Sequence, residues 1–180
     1  MVTRLEVEVD RIFLDQDNPR HKPYETQAEV IDYLCSHESI LSLARDIVAN
    51  GLNPIEQFAL IPDENAGDDA STYVVAEGNR RVCALMLLHD PDRAPAKLRN
   101  GFTQAASGWA GIGPLPCVVF EDRPAVDLWL TRIHDGEQGG IGRRKWSADQ
   151  SARHSGSDKD KLALKLLDYA EKKGLISADE

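Results

Sequence analysis

Cysteine is scarce in this chain: Cys35, Cys83 and Cys117 are the only three among 180 residues. They are odd in number, widely spaced and set in apolar surroundings, with no Cys-x-x-Cys pair. That pattern excludes a disulfide framework and a zinc site, and reads as three buried small hydrophobes in a reducing compartment. Long apolar runs are missing too, so neither a signal-peptide core nor a membrane span is expected, and the reading is a cytoplasmic protein with no membrane partner. No glycine-rich Walker loop is present. Basic residues are in deficit, with 21 Lys and Arg against 30 Asp and Glu and a net charge of -9. A polycation built to coat DNA is thereby excluded, although a local basic face is not.

What is present suffices for a core. A chain of this length buries roughly 70% of its unfolded surface and needs no metal or disulfide to fold. Leu5, Val7 and Val9 alternate with Glu6, Glu8 and Asp10 as in a half-buried strand. Residues 27–50 have helical spacing, interrupted between Ser36 and Ser39, where either serine is placed to cap the second helix, and Gly51 is suited to end it. Phe58 to Ile61 and Thr72 to Ala76 read as two strands of a hairpin, joined by a polar loop from Asp63 to Ser71. A helix over Pro95 to Ala106, a strand at Cys117 to Phe120 and a helix from Arg123 follow. The expected domain covers residues 1–153. A linker over His154 to Asp158 and an amphipathic helix from Lys159 to Gly174 complete a C-terminal extension over 154–180, whose apolar stripe suits docking on the core or on a partner, a homodimer contact included.

Two stretches carry chemistry. In the first, the apolar run Tyr73 to Ala76 leads through Glu77 and Gly78 to Asn79, Arg80 and Arg81, and then to a helical pattern at Val82, Leu85, Met86 and Leu88. Arginines at a helix N-terminus oppose the helix dipole. A nearby anion relieves that cost, and free N–H groups with two guanidinium forks suit phosphate. Solvation, or pairing with Glu77, Asp90 or another carboxylate, is the plainer alternative. The second stretch runs from Arg132 to Trp146 and holds His134, four glycines and the cluster Arg143, Arg144 and Lys145. A basic, glycine-rich loop in an acidic protein suits an anionic ligand or a nucleic-acid phosphate, and equally a flexible hinge.

The order of these pieces resembles the N-terminal domain of the ParB and sulfiredoxin superfamily over about residues 5–153. Asp17-Asn18-Pro19-Arg20 resembles that family's Asn-Pro-x-x-x-Arg region, and Ala44 to Ile55 its helix, glycine and strand. Ala76 to Arg81 is similar to its Gly-Glu-Arg-Arg box, with Asn79 where Glu is common, and Leu115 to Val119 resembles its Ile-Pro-Val-x-Val strand. The segment from Trp129 to Arg153 stands at the third family motif. There His134 and the glycine-rich loop replace the Asn and Arg that complete a cytidine nucleotide site. The form Glu-Gly-Asn-Arg-Arg with a later His-x-Gly-x-x-Gly looks closest to ParB-like proteins of phages and mobile elements.

The resemblance implies an α/β (α+β) fold, a mixed sheet of about four strands flanked by helices, with the C-terminal helical extension. It implies a nucleoside triphosphate bound with Mg²⁺, its phosphates at Gly78, Asn79, Arg80 and Arg81 with Arg20 contributing. Glu77 or Glu56 would orient the metal or a water, Glu77 and His134 would serve a slow NTPase acting in DNA transactions, and Arg143, Arg144 and Lys145 would close over ligand or DNA. The metal ligands themselves stay open. Two other functions are left standing: a metal-dependent ParB-like nuclease using Asp15, Asp17, Glu77 and Asp135, and a non-enzymatic DNA-binding module using the basic cluster and Trp146. Small-molecule kinase activity, known in the superfamily, has no pocket signature here. Sulfiredoxin chemistry needs a cysteine in the turn, where this chain has Asn79.

Overall fold

A computed structural model describes residues 2–66, 72–155 and 157–176 of the chain. Gly67 to Ser71 of the expected polar loop, and Gly156 of the expected linker, lie outside the described residues. The chain divides into two compact units, Met1–Leu130 and Thr131–Glu180, with the boundary inside a helix.

The first unit is built on a mixed five-stranded sheet. Its strands are β1 (Val2–Val7), β2 (Ile12–Leu14), β3 (Phe58–Pro62), β4 (Tyr73–Glu77) and β5 (Leu115–Phe120), in the order β1-β5-β3-β4-β2. β3 and β4 form the expected antiparallel hairpin, closed where Asp63 N–H donates to Thr72 O at 3.1 Å. β5 runs parallel to β3 and antiparallel to β1, and β2 lies parallel to β4. The strand expected over Leu5 to Val9 is therefore shifted, starting at Val2 and ending at Val7. Val9–Arg11 forms a 3-10 turn, and the strands on either side of it occupy opposite edges of the sheet.

Alternation along the central strands sends side chains to two faces. Phe58, Leu60, Val75, Leu115 and Cys117 face the main core, which also holds Leu34, Ile40, Leu85 and Phe102. These come from helices α1 (Gln27–His37), α2 (Ile40–Asn50), α3 (Asn79–His89) and α4 (Ala96–Ala106). On the opposite face Ala76 and Phe120 pack with Val126 of α5 (Arg123–His134). α3 is buried almost all round, from Val82 to Leu88, as expected of a helix at the centre of a layer.

The helix ends follow from local chemistry. Thr26 caps α1 in a reciprocal box with Glu29, so two orphan N–H groups are satisfied. Gly51 ends α2 at a φ of 80°. Ser39 stands at the start of α2 but its side chain does not cap it. Instead its backbone is left-handed, at φ 54° and ψ 40°, and its carbonyl accepts from Ser42 and Leu43 N–H. The sharp reversal between α1 and α2 therefore rests on a strained serine rather than a side-chain cap.

The second unit contains the end of α5, a single 3-10 turn at Gln138–Gly140, α6 (Ala148–Ser155) and α7 (Asp158–Lys172). α6 lies in a stretch where sequence reading saw only a basic loop running into a linker. Leu162, Leu166, Leu167 and Tyr169 of α7 are exposed. Among the described residues no helix is long and apolar enough to cross a membrane.

Candidate functional site

β4 delivers the chain to Gly78, which adopts φ 104° and ψ 16° and turns it into α3. A Cβ there would stand 2.8 Å from the Phe58 ring, so the position needs glycine both for its backbone and for its space. Gly78 has no side chain with which to cap α3, and the first intrahelical bond is Val82 N–H to Gly78 O at 2.9 Å.

Three consecutive side chains leave this turn with different tasks. Asn79 is buried and braces it: its Oδ1 accepts Asp15 N–H at 2.9 Å, and its Nδ2 donates to Val75 O at 2.8 Å. That bond ties the end of β2 to the start of α3. Arg81 is buried too. It donates to Glu56 O at 2.9 Å and Gln57 O at 3.1 Å, and pairs with Glu56 and Glu77, each at 3.6 Å. Arg80 points outward. Its Nε donates to Glu38 O at 3.1 Å and lies 3.5 Å from Glu38 Oε2.

Arg20 reaches the same carboxylate oxygen, its Nη1 3.3 Å from Glu38 Oε2. The loop that carries it is held by Asn18 Oδ1, which accepts Arg20 N–H at 3.1 Å, and by Tyr33 Oη, which donates to Arg20 O at 2.6 Å. Tyr33 sits in a ring cluster with His21, Tyr24 and His37, the last stacked on it at 4.5 Å. One helical turn beyond the Arg80–Glu38 contact, Cys83 and Cys35 meet in the core. The Cys83 thiol hydrogen-bonds Cys35, which lowers the Cys35 thiol from its ordinary range, while the same bond and burial push Cys83 well up.

Glu38 was not singled out by sequence, because its partners come from two distant segments. In the sequence Asp15 is one of the candidate metal carboxylates of the nuclease reading. It is buried, pairs with Arg123 at 2.9 Å, and accepts Asp17 N–H at 3.1 Å. Its other oxygen, Oδ2, is buried with no hydrogen-bond partner.

Every carboxylate near the turn is thus neutralised by arginine: Glu38 by Arg20 and Arg80, Glu56 and Glu77 by Arg81, Asp15 by Arg123. Among the described residues no group of three or more His, Cys, Asp or Glu side chains is disposed to hold a metal ion. This donor set does not make a resident magnesium site.

The remaining expected residues belong to the second unit. Its glycine-rich loop is internally bonded. Gly140 and Gly142 N–H both donate to Glu137 O, at 2.8 and 3.0 Å, and Arg143 N–H donates to Arg132 O at 2.8 Å. A Cβ on Gly142 would run into Gly136 O, so the fold of the loop depends on that glycine. His134, Arg143, Arg144 and Lys145 line one open pocket of about 380 Å³ with Ile133, Gly136 and Glu137. Arg144 pairs with Glu137 at 3.7 Å. Trp146 and His154 meet edge to face, with ring centroids 4.7 Å apart. Asp149 is partly exposed, and bonds from Ser147 and Arg153 hold its carboxyl below the usual range.

No family model matches the chain, and no curated protein matches it in sequence. Among solved structures it is similar to the C-terminally truncated chromosome-partitioning protein ParB from Caulobacter crescentus, complexed with CTP-gamma-S. The identity is 16%, the TM-score is 0.44, and the match covers 84% of this chain. The chain spans 60% of the length of that ParB structure.

Proposed function

We propose that the protein binds the phosphate chain of a nucleoside triphosphate at the turn from Gly78 to Arg81. One observation carries this reading: Arg20 and Arg80, from segments far apart in sequence, converge on a single anionic oxygen beside the N-terminus of α3. Two half-exposed guanidinium groups aimed at one point are arranged for an anion with several oxygens. Phosphate would take their donors together with the N–H groups of the first helical turn. Gly78 lets the backbone approach. Asn79 and Arg81 hold the turn in shape from beneath, so their contribution is positional. Mg²⁺ enters in this reading as part of the nucleotide complex, carried by the phosphates.

The finer reading is a ParB-like protein, of the kind found in phages and mobile elements, that acts in DNA transactions and hydrolyses its nucleotide slowly. Glu77 is the carboxylate proposed to orient the attacking water. A carboxylate held by arginine is fixed in place, which suits positioning of a water. α7, with its exposed Leu162, Leu166 and Leu167, is the proposed homodimer contact.

A second reading is favoured by the basic pocket of the second unit. Arg143, Arg144 and Lys145 present three cations around one opening, with Trp146 next in sequence. That set suits DNA phosphates with a stacking contact. Among the described residues no cluster of carboxylates favours a nuclease, whose metal would need one. Thermal denaturation with CTP, ATP and GTP, each with Mg²⁺, tests the first reading. One nucleotide is expected to raise the Tm in a concentration-dependent way. No shift with any of them, together with salt-sensitive DNA binding, would favour the second.

A further inference from the structure

The two outward arginines are already occupied by an anion, and it belongs to the chain. Glu38 ends α1, where the helix dipole disfavours a carboxylate, and Arg80 begins α3, where the dipole disfavours a cation. Each charge stands at the wrong end of its own helix, and each compensates the other. The left-handed backbone of Ser39 turns the chain away immediately after Glu38. This directs both the carbonyl and the carboxylate of Glu38 at Arg80 Nε.

The contacts are nevertheless loose. At 3.3 and 3.5 Å they exceed the 2.7–2.9 Å typical of charge-assisted bonds, and both run to the same oxygen, with no bidentate fork. Arg20 and Arg80 keep 44% and 40% of their side-chain surface in solvent, against 20% for Glu38. Among the described residues, both contacts of Arg80 run through Nε, and its terminal nitrogens make no further bond.

We propose that Glu38 is a built-in occupant of the phosphate site, an internal carboxylate that an incoming phosphate must displace. It keeps the arginines gathered in the empty protein. It also sets a threshold: a singly charged anion gains little by exchanging with Glu38, whereas a polyphosphate brings more charge and more oxygens to the same donors. Glu38 is therefore a specificity-determining residue of the site. This inference rests on the phosphate reading given above.

The test is isothermal titration of inorganic tripolyphosphate into the native chain and into Glu38→Gln, with circular dichroism to verify folding. Glu38→Gln keeps the shape and removes the competing charge, and it is expected to bind roughly tenfold more tightly. Adding Arg20→Ala to that variant is expected to reverse the gain. Equal or weaker binding by Glu38→Gln would overturn the inference while leaving the phosphate site standing. No binding by either folded protein would overturn the phosphate reading, and the inference with it. A crystal structure of the native chain with tripolyphosphate gives a check that needs no variant. The Glu38 carboxylate is expected to have left both guanidinium groups, and its persistence between them with the anion bound would overturn the inference.

Discussion

Arg81 lies over the ring of Phe58, its guanidinium carbon 4.5 Å from the ring centroid, while its nitrogens donate to the carbonyls of Glu56 and Gln57. The segment leading into β3 is fastened to the first turn of α3 through this one side chain. Two adjacent arginines therefore divide their work: Arg81 holds the turn together and Arg80 faces outward.

Arg81→Ala is accordingly expected to destabilise the first unit by about 3 kcal/mol, because it leaves two carbonyls and two carboxylates without their buried partner. Arg80→Ala removes only a half-exposed pair and is expected to change stability by about 1 kcal/mol or less. Urea denaturation of the two variants side by side measures the difference. Equal midpoints would contradict the division of roles.

Gly78→Ala tests the turn itself. At φ 104° a Cβ costs roughly 1–2 kcal/mol of backbone strain, before the contact with Phe58 is relieved. The variant is expected to lose at least that much stability and to weaken nucleotide binding as Arg80 shifts. Phe58→Leu in the same background is expected to recover part of the stability, and the double-mutant cycle reads that coupling.

Cys117 offers a test by pH. Burial against the sheet pushes its thiol from an ordinary 9.0 up to about 12. The folded state therefore retains a proton that the unfolded state releases. Stability from this group is complete below about pH 9 and falls as pH rises from about 9 to about 12, by about 1.4 kcal/mol per pH unit. Comparison of Cys117→Ala with the native chain across that window is expected to show a shallower slope in the variant. The native thiol is also expected to resist alkylation at pH 8 until the protein unfolds.

Much of the fold was legible because its signals are local. The β-branched run Tyr73 to Ala76, the glycine after Glu77 and the helical spacing from Val82 name a strand, a turn and a helix on their own. The hairpin partner Phe58 to Ile61 is bounded by Pro54 and Pro62. The opposite placement of β1 and β2 was not legible, because pairing depends on partners elsewhere in the chain, and the alternation of Leu5, Val7 and Val9 names a half-buried strand without naming its neighbour. α6 was hidden because its eight residues carry almost no apolar stripe.

The site was legible in part for the same reason. Arg80 and Arg81 stand out by their position at a helix start, but nothing local separates the buried one from the exposed one. Gly78 gave no hint of Phe58, nor Arg81 of the Glu56 and Gln57 carbonyls. Glu38 looks like any surface carboxylate until Arg20 and Arg80 are brought to it by tertiary structure.

Arg20 and Arg80 are proposed to form the anion site at the turn after β4. Isothermal titration of CTP, ATP and GTP with Mg²⁺ into the native chain and into Arg80→Ala tests it most directly. The native chain is expected to bind at least one nucleotide, and the variant, folded to the same extent by circular dichroism, to lose that binding. Binding of the same nucleotide by Arg80→Ala with unchanged affinity, or no binding of any nucleotide by the native chain, would contradict the account.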